Sequence, residues 1–331
     1  MSQGHPGILM HALTADALLE EAFGWLCRQR TGWPDSADIW TFRRHWPREK
    51  AQLQRELRAG TYQIGLLIRT SLAHGEEMDL WSARDALVMK ALALVLAPVL
   101  KVSPHCTHLK GHGGLKGAIR RVLAHVASHP FVFKTDVQSY YASIDHHRLL
   151  DLLARQIPEP LILNLIGQYL KRRAERGGLV WEYQRGISLG SPLSPLLGAV
   201  FLTAVDEQVA EQGVCYVRYM DDILVMAPTR WTLRRAIRRV KHGLAGLGLT
   251  PHPDKTWVGK SRQGCEFLGY LVSEAGITVA ATTVARCVVR IRRLQERERG
   301  GPRGSSPLGV YVSRWRRWAE GGVPDLLPFV L

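Results

Sequence analysis

The stretch VCYVRYMDDILVM, residues 214–226, decides how this chain is read. Two apolar runs, Val214 to Tyr219 and Ile223 to Met226, flank Met220-Asp221-Asp222. Their β-branched and aromatic content predicts a β-hairpin with both carboxylates at its tip. Aspartate also favours turns for conformational reasons alone, so the pair gains chemical meaning only from its surroundings. Upstream, Phe131-Val132-Phe133-Lys134-Thr135 follows Pro130 and reads as another strand, with Asp136 directly after it. Aspartates on adjacent rigid strands are what a pair of divalent ions requires of a protein. Magnesium prefers oxygen and takes one or two protein carboxylates, substrate phosphates completing its shell. Two such ions about 3.5–4 Å apart activate an attacking hydroxyl and steady a leaving pyrophosphate.

Composition points the same way. Lys and Arg number 44 against 29 Asp and Glu, a net charge of +15, which predicts a polyanionic partner; a basic, well-solvated surface would give the same balance. The five cysteines (Cys27, Cys106, Cys215, Cys265, Cys287) are odd in number and never paired as C-x-x-C. That argues against a disulfide framework or zinc knuckle and for a reducing, cytoplasmic setting. No basic segment followed by an apolar core opens the chain, so no secretory signal is read. The most apolar run, Ala86 to Leu100, contains Lys90 and is too short for a bilayer; it predicts a buried helix and no membrane association.

Helical spacing of Leu18, Leu19, Phe23 and Leu26, continued by Trp40, Phe42, Trp46 and Leu53, predicts helices over about 15–60. Further helices are expected over roughly 83–100, 116–127 and 145–156, a long one from Ser194 to Glu211, and a basic one over 231–247. His105, His108 and His112 sit in a Gly-rich basic stretch around Lys110 without recognised zinc spacing, and fit phosphate contact or local capping. Past residue 281 come another basic helix, a Gly/Pro/Ser linker at 300–307 and an Arg/Trp-rich helix.

A Tyr-x-Asp-Asp tetrad downstream of a strand-ending aspartate resembles the reverse transcriptases, and the resemblance covers roughly residues 50–275. Residues 130–146 resemble the first catalytic block, which implies that Asp136 binds both metals and that Tyr141 is the bulky gate beneath the incoming sugar. Residues 186–205 resemble the block in which group II intron-like bacterial enzymes read Pro-Gln-Gly and then Ser-Pro-Leu-Leu. Gly190, Ser194, Pro195, Leu196 and Leu197 match, while Ser188-Leu189 stand where the family has Pro-Gln, so contact there is apolar or through backbone. Lys255, in 254–257, matches a lysine near the leaving pyrophosphate. Phe267-Leu268-Gly269-Tyr270 resembles the primer-grip turn, making Gly269 and Tyr270 primer contacts.

By the same resemblance, Asp136, Val137, Asp221 and Asp222 form the metal set for two Mg²⁺ or Mn²⁺ ions, with Asp222 a weaker ligand or charge partner. On the fingers side Arg69, Arg84 and Lys110 are the cations left for the triphosphate, since the Gly75–Asp79 stretch is acidic where an arginine is expected. Arg286, Arg290, Arg293 and Arg297 recur at helical spacing to track a duplex backbone, and Arg314-Trp315-Arg316-Arg317-Trp318 interleaves cations with aromatics.

The implied fold is an α+β right-hand polymerase: an N-terminal helical region and fingers over 1–128, a palm over 129–275 and a short thumb over 276–331. The implied activity is RNA-directed DNA synthesis, with an RNA template and a DNA product as partners. A structured non-coding RNA or an accessory protein is a further partner such enzymes often need, and phage defence is one role open to them. An RNA-templated RNA polymerase, disfavoured by the aromatic at 141, and a nucleic-acid-binding accessory protein, disfavoured by the intact carboxylates, are the competing readings.

Overall fold

A computed structural model of the chain describes residues 7–71, 77–299 and 307–321. The chain forms two compact units, each built from separate stretches: Met1–Ser103, Ser139–Thr203 and Gly246–Leu249 in one, and Pro104–Gln138, Ala204–Ala245 and Thr250–Leu331 in the other. The sequence reading, by contrast, cuts the chain into contiguous regions.

In the first unit, helices Asp16–Gln29, Asp38–Arg44, Trp46–Ala59 and Ala83–Leu96 occupy the N-terminal stretch. The last of these is apolar nearly all round, with Leu87, Val88, Met89, Ala91 and Leu92 fully buried, as an all-round apolar helix must be. Ser82 caps it by accepting the Asp85 N–H at 3.0 Å. Phe23 and Trp46 stack with centroids 4.2 Å apart and lock two of the helices together. A four-stranded sheet pairs Glu77–Leu80, Leu67–Ser71, Arg173–Arg176 and Leu179–Glu182 in that order. The expected long helix from Ser194 is two helices, Ser194–Phe201 and Thr203–Ala210. Leu202 leaves helical geometry at φ −99°, ψ 1°, where the chain passes from one unit to the other.

The second unit is organised on an antiparallel sheet ordered Cys215–Tyr219, Asp222–Ala227, Phe131–Asp136, Trp257–Lys260. Side chains alternate between its faces. Val132, Val217, Leu224 and Met226 join Ala118, Ile119 and Val122 of helix Gly114–Leu123 in one cluster. That cluster continues into a second sheet of Cys265–Phe267, Tyr270–Ser273 and Gly276–Val279, and into Trp315 and Ala319 of helix Pro307–Glu320. Phe133, Tyr216, Ile223 and Val225, which alternate with that set, are buried as well. Coverage on both faces explains why the hairpin strands read as nearly continuous apolar runs. Helix Arg230–Gly246 buries Leu233, Ala236, Val240 and Leu244 and leaves its arginines exposed; each buried leucine or valine contributes roughly 1.5–3 kcal/mol. Among the described residues no helix is long and apolar enough to cross a membrane.

Candidate active site

The register sets the aspartates. Asp136, the last residue of its strand, lies directly opposite Asp222, and Asp222 also pairs with Tyr219 to close the hairpin. The tip is therefore Met220-Asp221 alone, with Asp222 opening the return strand, a correction to the expectation of both carboxylates at the tip. A two-residue loop between paired strands permits nothing else. The Val137 N–H donates to the Asp221 carbonyl at 3.3 Å, tying the backbone after Asp136 to the tip. Val137 itself is buried.

Met220 adopts φ 56°, a left-handed conformation that costs a side-chain-bearing residue roughly 1–2 kcal/mol. Both of its backbone groups are held. Its N–H donates to His108 Nδ1 at 3.1 Å, and its carbonyl accepts from Arg218 Nη1 at 2.8 Å. Arg218 and Asp206 are both fully buried and form a two-pronged ion pair, Nε to Oδ1 at 2.7 Å and Nη2 to Oδ2 at 2.6 Å. The Tyr216 hydroxyl donates to the same Asp206 Oδ1 at 2.7 Å. The segment around Cys106 runs parallel to Arg218, with the Thr107 N–H on the Arg218 carbonyl at 2.8 Å and the Arg218 N–H on the His105 carbonyl at 2.9 Å. This pairing carries the basic loop to the hairpin. His112 Nδ1 lies 3.0 Å from the Cys106 carbonyl, so His108 and His112 both act within local structure. Local capping by the histidines was one expectation from sequence; the roles of Arg218, Asp206 and Tyr216 were not assigned from it. The available signal was an arginine inside an apolar strand, which needs a buried partner.

Lys255, in the turn Pro253–Lys255, donates through Nζ to Asp136 Oδ2. This contact holds the Lys255 ammonium above its ordinary range. Burial, and then the Asp136 charge, push the Asp221 carboxyl up to about 7. Burial also raises Asp222, against the opposing pull of Lys134. Three carboxylates thus crowd one another, with Lys255 and Lys134 as the nearby cations. That excess of negative charge is what a divalent cation relieves. Among the described residues no group of three or more acidic, histidine or cysteine side chains is placed to hold a metal ion by itself. The donor set fits an ion held by one or two carboxylates and completed by water and phosphate.

Of the other expected residues in this unit, Lys110 is exposed on the loop pinned by His108. Gly269 takes φ 86°, and a Cβ there would meet Trp318 at 2.9 Å. Tyr270 needs correcting: it is fully buried, its hydroxyl lies 3.0 Å from the Trp318 and Ala319 carbonyls, and Lys116 Nζ donates to it. Its ring docks the C-terminal helix and has no surface to offer a primer. Arg286, Arg290 and Arg293 are exposed on helix Ala281–Arg299; the side chain of Arg297 lies outside the described residues.

In the first unit, Arg69 faces Asp79 across the strand pair at 3.5 Å and also contacts the Tyr183 hydroxyl. Asp79 is buried and also takes Arg172 and Tyr183. The acid found where the family has an arginine therefore neutralises neighbouring cations; residues 75 and 76 of that stretch lie outside the described residues. Arg84 is paired with Glu49 at 3.3 Å and Glu56 at 3.0 Å. Tyr141 Cε1 would lie 3.1 Å from a Cβ at Gly198, so glycine there seats the ring. Gly190 takes φ 96°, and Leu189 beside it is 50% exposed, an apolar side chain presented to solvent.

Over residues 84–272 the chain matches the family described as reverse transcriptase (RNA-dependent DNA polymerase). It is 27% identical over 234 residues to the retron Mx162 reverse transcriptase of Myxococcus xanthus, covering 63% of this chain and 47% of that protein. It is 22% identical over 264 residues to protein YkfC of Escherichia coli K12, covering 66% and 69% respectively. The telomerase of Candida albicans aligns with a TM-score of 0.48 at 13% identity, over 60% of this chain and 38% of that one. The chain thus spans about half the length of the retron protein. Because the family match runs over more than half of the chain and takes in Asp136, Asp221, Asp222 and Lys255, the chain belongs to the reverse transcriptase family.

Proposed function

We propose that this chain is an RNA-directed DNA polymerase that extends a primer by two-metal nucleotidyl transfer. The observation that carries the proposal is the pairing of Asp136 with Asp222 beside Asp221 on a clamped turn. Bound Mg²⁺ or Mn²⁺ would supply Lewis acidity for the attacking primer hydroxyl and charge neutralisation for the pyrophosphate. Asp136 and Asp221 would hold the ions, and Asp222 adds negative charge opposite Asp136. Lys255, more than half exposed at its side chain yet anchored on Asp136, offers a mobile proton and a positive charge to the leaving group.

Tyr141, braced on Gly198, excludes a 2′-hydroxyl, while Gly190 and Leu189 offer backbone and apolar contact to the nucleotide. Arg69, Arg84 and Lys110 are the candidate triphosphate cations, and Lys110 is the one exposed in the structure. Arg286, Arg290 and Arg293 follow the primer–template backbone. RNA template and DNA product are the partners, with a structured RNA or accessory protein as a further one. Extension of a primer on an RNA homopolymer with Mn²⁺, wild type against Asp221→Ala, tests the reading. Incorporation by the wild type and none by the variant is expected; equal signals would sink it.

A further inference from the structure

The second unit carries a basic groove that the aspartates do not use. It encloses about 420 Å³, within the roughly 300–1,000 Å³ of small-ligand sites. Phe131, Leu233, Ile237 and Val258 form an apolar floor, and Arg230, Arg234, Lys260 and Arg262 ring it. No carboxylate lines it among the described residues. Arg230, Arg234 and Arg262 are exposed, Val258 is 58% exposed, and Trp231 is 76% exposed with the Arg234 guanidinium 5.1 Å from its ring centroid.

The groove is separate from the aspartates. Phe131 and Asp136 mark opposite ends of one strand, roughly 17 Å apart at the strand rise, and alternation turns their side chains to opposite faces. A nucleotide held at Asp136 therefore does not reach Phe131.

We propose that this groove binds a single-stranded stretch of nucleic acid, phosphates on the four cations and unpaired bases against the apolar floor and Trp231. Cations alone would fit any polyanion. A floor in which Val258 is exposed and Phe131 and Ile237 are partly so adds an apolar surface for unpaired bases, which a duplex keeps stacked inside. The site holds whether or not the aspartates polymerise, so it is tested by binding in an Asp221→Ala background.

The probes are fluorescent single-stranded RNA and DNA of roughly 12 nucleotides, within the span such grooves cover. Replacing Arg230, Arg234 and Arg262 together by Gln should weaken binding of both at least ~10-fold and reduce the salt slope by about 2, at ~0.7 per lost contact. Trp231→Ala, with every charge retained, should weaken binding about tenfold and leave the salt slope unchanged. In the Asp221-intact chain, the three Gln changes should leave extension of a short primed template at the wild-type rate. Unchanged affinity and slope in the Gln variant would overturn the proposal. So would an equal loss of affinity for a duplex of the same length in the Gln variant, or displacement of the RNA by polyglutamate as readily as by unlabelled RNA, which would mark a surface for an acidic protein.

Discussion

Asp206→Ala is the most informative single perturbation. Arg218 and Asp206 are fully buried and joined at 2.6 and 2.7 Å, with Tyr216 on the same carboxylate. Removing the acid leaves a guanidinium in the core without its counter-charge, a loss of roughly 3–5 kcal/mol against a total stability of about 5–15 kcal/mol. Replacing the whole group with apolar residues of similar size, Asp206→Leu with Arg218→Met and Tyr216→Phe, removes the stranded charge. Stability should then return to within about 1–2 kcal/mol of wild type, because buried ion pairs seldom beat well-packed apolar side chains. The apolar trio nevertheless lacks the 2.8 Å bond from Arg218 to the Met220 carbonyl, so the φ 56° turn is held from one side only. A shift of Asp221 on the order of 1 Å should lower kcat ~10²-fold. Urea unfolding and single-nucleotide primer extension, run on the same preparations, separate the two effects. A trio variant that regains stability and also keeps the wild-type rate would refute the claim that Arg218 positions the catalytic turn.

Because the Asp221 carboxyl titrates near 7 in the fold, above about 3.9 in the unfolded chain, its proton contributes stability that is complete below the unfolded value. That contribution is lost as pH rises through about 7. The melting temperature of the metal-free protein should therefore fall between about pH 5 and pH 8, and Asp221→Asn should remove that part of the slope. Mn²⁺ binding should release a proton near neutral pH, read as buffer-dependent calorimetric heat, and the Asn variant should not show it. Gly198→Ala places a methyl 3.1 Å from Tyr141 Cε1 and 3.4 Å from Tyr140 Cε1, so it should cost about 1–3 kcal/mol. It should also shift deoxy-over-ribo discrimination, as Tyr141→Val should more strongly; unaltered kcat/KM ratios in both would remove the gate. Lys255→Ala should lower kcat ~10²–10³-fold with little change in KM, and Lys255→Arg should recover part of it; a change confined to KM would make the lysine a binding residue only. Tyr270→Phe should cost roughly 0.5–1.5 kcal/mol through the lost hydroxyl bond with primer affinity unchanged, and weakened primer binding at wild-type stability would return Tyr270 to the primer path.

What the sequence determined by itself was everything that near neighbours control. The β-branched and aromatic runs in 131–135 and 214–226, the turn residues between the hairpin strands, and the apolar spacing of the N-terminal helices are local signals, and the elements formed where they stood. The three aspartates were legible because strand ends and a two-residue turn place them with little help from the rest of the chain. Tertiary structure decided which partner each polar group would find. His108 meets the Met220 N–H across 112 positions of sequence, and Lys255 meets Asp136 across 119. No local pattern encodes such distances. Tyr270 was misplaced for the same reason: the resemblance to a primer-grip turn makes it a primer contact, and only the fold shows the C-terminal helix covering it. The placement of the carboxylates was therefore written in short stretches. The clamp that holds it in place arises only from packing, because a buried charge is stable only beside a partner that the fold brings to it.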